Sequence, residues 1–236
     1  MQYPSDIRVI RVLCTGRIDP ALVADAFVSG ADGVLVIGCH FGDCHYVSGN
    51  TVAKHKLDLT RETLAHAGLN PARLQFHNLS SAEAAKFAQY NTDFVAQIKE
   101  TGPLGTGDGV KMPGLRDRLK IAHMALAGPK LRWVVGKKPV FLKEGNKYGE
   151  TFTEHEINRT LRGMVIDEMA TYAILSALET KPATVKNLAQ DLDLSPPDTL
   201  KYVLALKRRG FVEMDGVEGR SPVYKYRLEN GAYQSD

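Results

Sequence analysis

The sequence predicts an α/β fold, a small parallel sheet built from βαβ units, followed by a mainly helical winged helix-turn-helix domain. Over residues 1–100, short apolar runs alternate with helix-length amphipathic runs, the pattern of parallel strands joined by right-handed crossovers. Residues 153–236 read instead as helix, helix, turn, helix and hairpin. Charge is divided as well: residues 1–100 hold nine Lys/Arg against ten Asp/Glu, whereas residues 101–236 hold 21 against 17. The expected organisation is therefore an α/β domain over 1–100, a linker and helical connection over 101–152, and a winged-helix domain over 153–236.

In chain order, the β-branched run Ile7–Leu13 predicts a first strand. Asp19 caps the next helix, Ala21–Ser29, with Pro20 at its first position. Gly30-Ala-Asp-Gly33 ends that helix, and the wholly apolar Val34–Ile37 suits a strand buried on both faces. Thr51–Ala67 then reads as a helix, Arg73–His77 as a third strand and Ser81–Lys99 as a third helix. The glycine-rich residues 101–109 (TGPLGTGDG) run G-x-G-x-G with no strand before them, so they predict a linker and not a dinucleotide loop. Leu115–Ala127 is helical, and Lys137–Gly149, with Pro139, matches no single element.

Thr153–Thr180 predicts a long helix, with apolar residues from Ile157 to Leu178 at spacings of three and four. Thr184–Leu192 is a short helix, and Pro196–Arg209 a second one, capped by Ser195 and stopped by Gly210. Phe211–Met214 and Pro222–Leu228 alternate with period two around Gly216 and Gly219, which predicts a hairpin. Leu200, Val203, Leu204 and Leu206 are the expected core face of the Pro196–Arg209 helix. Lys201, Lys207, Arg208 and Arg209, with Arg220, Lys225 and Arg227 on the wing, form a basic face expected to be solvated or to dock protein. Nucleic acid is the less favoured partner of residues 181–236.

Composition is that of an ordinary globular protein, 44% hydrophobic and 24% charged. The longest apolar stretch, Gly33–Cys39, falls far short of the roughly 20 residues of a membrane span. The first residues do not resemble a signal peptide, and three cysteines do not make a disulfide framework. A reducing, cytoplasmic setting and no membrane association are expected.

The sharpest chemical signal is Gly38-Cys39-His40-Phe41-Gly42-Asp43-Cys44-His45-Tyr46, directly after the Val34–Ile37 strand. Cys14 stands in the same position after the first strand. Ligands collect at the carboxyl ends of parallel strands, so Cys14, Cys39 and Cys44 are expected to converge as metal ligands. Three thiolates suit an iron cluster, the preferred reading, or zinc, and argue against calcium or magnesium. Inert buried thiols and a Cys–His hydrolytic pair are the competing readings. His40 and His45 read either as ligands or as groups that hydrogen-bond to the ligands and tune them.

The run from Ile7 through Asn50, with Cys14-Thr-Gly-Arg-Ile-Asp-Pro, Gly30-Ala-Asp-Gly-Val-Leu-Val and the double-cysteine loop ending at Gly49-Asn50, closely resembles the delta subunit of methyl-viologen-reducing (non-F420-reducing) hydrogenase. The likeness covers residues 1–100. It implies an iron–sulfur protein, usually with a [2Fe-2S] cluster, that passes electrons between a hydrogenase or formate dehydrogenase and the flavin subunit of a heterodisulfide reductase. Cys14, Cys39 and Cys44 match the family's motif cysteines and inherit the ligand role. Phe41 stands where the family usually has proline. Family members also carry a close pair of cysteines before the first strand, and this sequence begins at Met1-Gln-Tyr-Pro, just past that point. The expectation is that residues upstream of Met1, or else His40 or His45, complete the ligand set. An upstream selenocysteine, misread as stop, is one way such a start would arise. The rival reading is an iron–sulfur redox-sensing winged-helix transcription regulator.

Overall fold

Asp19 does what its position predicts: its carboxylate accepts from the Ala21 amide at 2.9 Å, and Pro20 opens helix α1, Pro20–Val28. The computed structural model describes residues 2–227. It divides into two units, Met1–Gly163 and Met164–Asp236. In the first, α1 leads to strand β1 (Val34–Gly38), helix α2 (Gly49–His66), strand β2 (Leu74–Asn78) and helix α3 (Ala84–Thr101). Helices α4 (Gly114–Ala127) and α5 (Pro129–Glu144) follow. Strands β1 and β2 pair in parallel, Val34 opposite Leu74 through Gly38 opposite Asn78, with α2 as the crossover. The core holds Phe27, Leu57, Leu64, Leu74, Leu115, Leu119 and Leu131, all buried.

Residues 7–13 form no strand, a correction to the sequence reading. Ile10 is 76% exposed and Leu13 80%. The cause is local. With period two, one face carries Ile7, Val9, Arg11 and Leu13 and the other Arg8, Ile10 and Val12, so either face would bury an arginine. Arg8 instead donates to the carbonyls of Ser5 and Ile7. Residues 137–149, unassigned from sequence, are largely the end of α5, which contains Pro139.

Residues 101–109 fold around the guanidinium of Arg73, which is fully buried. Arg73 donates to Asp108 Oδ1 at 2.9 Å and to the carbonyls of Asp32 (2.9 Å), Gly102 (2.9 Å), Pro103 (3.0 Å) and Thr106. Asp108 also accepts from the amides of Asn70 (2.7 Å) and Gly105 (2.8 Å). Gly105 has φ +90°, a left-handed turn in which a side chain would also meet Met112.

Helix α6 (Glu154–Thr180) runs through the boundary of the two units. The second unit continues with β3 (Ala183–Thr184), α7 (Val185–Asp191), α8 (Pro196–Arg208), β4 (Val212–Glu218) and β5 (Ser221–Tyr226). Its sheet is antiparallel in the order β3-β5-β4. Thr184 and Ser195 cap α7 and α8 through the amides of Asn187 and Asp198. Val203 and Leu206 are buried as expected, but Leu200 is 41% and Leu204 37% exposed. The helix instead turns Thr199, Tyr202, Val203 and Leu206 inward, and the Tyr202 hydroxyl fixes that rotation by donating to Asp167 Oδ1 at 2.6 Å. Leu228 lies outside the described residues. No helix among them is long and apolar enough to cross a membrane.

Candidate functional site

The cysteine site is built where β1 ends and α2 begins. Cys14 is extended (φ −151°, ψ 135°) ahead of a short 3-10 turn, Thr15–Arg17, and its Sγ accepts from the Gly16 amide at 3.4 Å. Lys56 on α2 holds that turn by donating to the carbonyls of Gly16 (2.8 Å) and Ile18 (3.4 Å). Cys39 follows the last residue of β1. The chain then turns at Gly42, whose φ of +92° suits glycine, and buries Cys44.

Gly49, the first residue of α2, is where the sulfurs meet. A Cβ there would lie 2.4 Å from Cys14 Sγ and 3.2 Å from Cys44 Sγ, so only glycine fits between them. Cys39 and Cys44 lie close enough for each to shift the other's titration. Burial pushes the Cys44 thiol up, but the backbone amides of Asn50, Tyr46 and Gly49 and the neighbouring Cys39 outweigh that and hold it below the ordinary thiol value. Cys39 is pushed up, by burial first and then by Cys44. The Thr15 hydroxyl, beside this turn, is buried without a hydrogen-bond partner. Among the described residues no group of three His, Cys, Asp or Glu side chains is gathered closely enough to hold a single metal ion.

Side chains that carry no motif signal of their own hold the site. Asn50, almost fully buried, donates to the carbonyls of His40 (2.6 Å) and Cys39 (3.2 Å), and Asn78 at the end of β2 donates to Cys39 O at 2.6 Å. His40 turns away from the sulfurs to Glu83, Nε2 to Oε2 2.7 Å. Glu83 is held down to about 2, chiefly by its bond to Lys86, then by the Ser80 amide and His40. His45 is exposed and packs edge-on against Tyr46. The position of Asn50, in the first turn of a helix that follows a cysteine loop, was the available signal for its role. Nothing local marked Asn78, while Glu83 is legible only as the acidic partner of Ser80 at the start of α3.

Soft thiols met by backbone amides suit metal or redox chemistry.

Comparison with known proteins finds relatives over the residues that form this site. Residues 1–102 match the family FlpD, methyl-viologen-reducing hydrogenase, delta subunit. The chain is 43% identical over 101 residues to an iron-sulfur subunit of the F420-non-reducing hydrogenase of Archaeoglobus profundus, covering 43% of this chain and 74% of that protein. It is 42% identical over 103 residues to the corresponding iron-sulfur subunit of the vhc F420-non-reducing hydrogenase of Methanococcus voltae, covering 44% of this chain and 72% of that one. It is also 44% identical over 106 residues to one of the subunits of the ferredoxin:CoB-CoM heterodisulfide reductase of Methanosarcina mazei, 45% of this chain but only 13% of that much longer protein. Through its first 102 residues, the chain belongs to the methyl-viologen-reducing hydrogenase delta subunit family.

Proposed function

We propose that this protein is an electron-transfer subunit of a cytoplasmic oxidoreductase complex, with Cys14, Cys39 and Cys44 holding a [2Fe-2S] cluster. Its partners on this reading are a hydrogenase or formate dehydrogenase module and the flavin-containing subunit of a heterodisulfide reductase. The carrying observation is the closure of Cys14 and Cys44 over Gly49, at the loop where Cys39 leaves β1. Such a cluster, when bound, supplies one-electron transfer. The amides of Tyr46, Gly49 and Asn50 offset negative charge on sulfur, which favours the reduced state. Asn50 and Asn78 lock the Cys39 backbone, so the ligands need little rearrangement as the charge changes. The relatives' names support the setting, one being an iron-sulfur subunit of a hydrogenase and another a heterodisulfide reductase subunit in which the same stretch is part of a longer chain.

On the same reading the second unit is a winged helix that docks protein. Over residues 164–227 it carries nine Lys/Arg and nine Asp/Glu, and Lys225 on its wing is paired with Asp215 at 2.7 Å and Glu213 at 3.5 Å. A balanced surface with a neutralised wing lacks the positive potential that phosphate binding requires, which weighs against the transcription-regulator reading. The test is anaerobic purification with absorption and EPR spectra and iron and sulfide counts, repeated for Cys14→Ser, Cys39→Ser and Cys44→Ser. Each variant is expected to lose the cluster signature. Full iron and sulfide occupancy in all three would refute the assignment.

A further inference from the structure

The positive charge of the second half lies between the two ends of the chain, in α4 and α5. Residues 109–150 carry ten Lys/Arg against three Asp/Glu. Lys111, Arg116, Arg118, Lys137 and Lys143 are exposed and have no carboxylate partner among the described residues. On the same helix as Lys137 and Lys143, α5 exposes Trp133, the chain's single tryptophan, at 58%, with Val140 two turns on. Phe141 meets the Trp133 ring edge-on at 6.4 Å between centroids and is itself backed by Phe152 at 6.2 Å, so the indole is held in place before any partner arrives.

Gly136 lies on this same outer face, in the interior of α5, where glycine weakens a helix relative to alanine. Nothing in the chain requires it, because a Cβ there would meet no atom within 4 Å. A small residue kept between Trp133 and Val140 without an internal packing reason leaves room for something outside the chain to approach the helix closely. The face is also tied to the cysteine site. Arg132, next to Trp133, donates to Asp19 Oδ2 at 2.9 Å, at the end of the turn that begins with Cys14.

We propose that the outer face of α5 is the docking surface for a small acidic electron-carrier protein of the ferredoxin class, an inference that rests on the electron-transfer reading of the cysteine site. A preorganised tryptophan beside Arg132, with the unpaired Lys137 and Lys143 further along the same helix, makes a binding centre with charge to steer an acidic surface. A second copy of this chain would bring like charges together. A membrane would need an apolar stripe wider than Trp133 and Val140.

The full chain is titrated with a small acidic ferredoxin, read by calorimetry and by Trp133 fluorescence. Native protein is expected to bind, and to bind less tightly as ionic strength passes about 0.15 M, where the screening length is about 8 Å. Trp133→Ala and the pair Lys137→Glu/Lys143→Glu should each weaken binding about tenfold or more. Gly136→Ala should raise the melting temperature while weakening binding, which a site without a close partner would not do. Absence of binding by the native chain, or equal binding by the charge-reversed pair, overturns the proposal. So does tighter, equally residue-dependent binding of polyglutamate, of a single-stranded oligonucleotide or of anionic vesicles. Docking needs no cluster in this chain, so missing iron and sulfide in the native protein would count against the cysteine reading alone.

Discussion

The two ends of the same parallel strand pair are finished in opposite ways. At the amino ends of β1 and β2, Arg73 and Asp108 form a fully buried ion pair at 2.9 Å whose remaining hydrogen-bonding capacity is spent on surrounding backbone. At the carboxyl ends, the chain places three free cysteines, an unpartnered buried Thr15 hydroxyl, and exposed Phe41, Tyr46 and Val47. The polar groups around Arg73 are answered, whereas at the other end the Thr15 hydroxyl is left over beside free thiols. A saturated network adds rigidity and offers nothing to a ligand, whereas spare donors cost stability and leave room for one.

The contrast breaks most sharply at Arg73. Arg73→Met removes the cation and leaves Asp108 buried and unpaired, so stability should fall by about 3–5 kcal/mol in chemical denaturation. Where the variant is folded, the cysteine end should keep its iron and sulfide. At the opposite end, Gly49→Ala drives a methyl group into Cys14 Sγ, a collision at 2.4 Å. Overpacking of this kind costs about 1–3 kcal/mol, and the cluster spectrum should be lost while far-ultraviolet circular dichroism is kept.

A smaller change tests whether the cysteine end owes its order to its asparagines. Asn50→Ala leaves the carbonyls of Cys39 and His40 short of a donor, which should cost about 1 kcal/mol and speed hydrogen exchange in residues 39–48. The least effect is expected from acid. Glu83 lies at about 2, below its ordinary 4.5, so its contribution is complete above 4.5 and is lost as pH falls from 4.5 towards 2. His40 should then come free of α3, seen as faster amide exchange in the loop between pH 4.5 and 2, and Glu83→Gln should flatten that dependence.

Local chemistry made much of the first unit legible. The Asp19-Pro20 start of α1 and the apolar Val34–Ile37 strand both follow from signals within a few residues of each element. The double-cysteine loop was equally legible as a loop at the end of β1, where Gly42 turns the chain. Segment 7–13 was misread and segment 137–149 left unassigned, for opposite reasons. The first is apolar in content but carries Arg8 and Arg11 out of phase with a strand, whereas the second holds Gly136 and Pro139 just where helix α5 continues. In α8, Leu200 and Leu204 share the apolar character of Val203 and Leu206 but not their angular position.

By itself, then, the sequence determined most of the elements and where several of them begin, and it singled out three thiols as candidate ligands, because caps, strand runs and thiol chemistry act over short range. Only the tertiary structure decided what those elements meet. It paired Arg73 with Asp108, 35 residues away, brought Cys14 against Cys44 across Gly49, and gave the Cys39 carbonyl to Asn78 from a second strand. Such contacts depend on how the βαβ crossover folds back, which fixes distances between residues that share no local pattern.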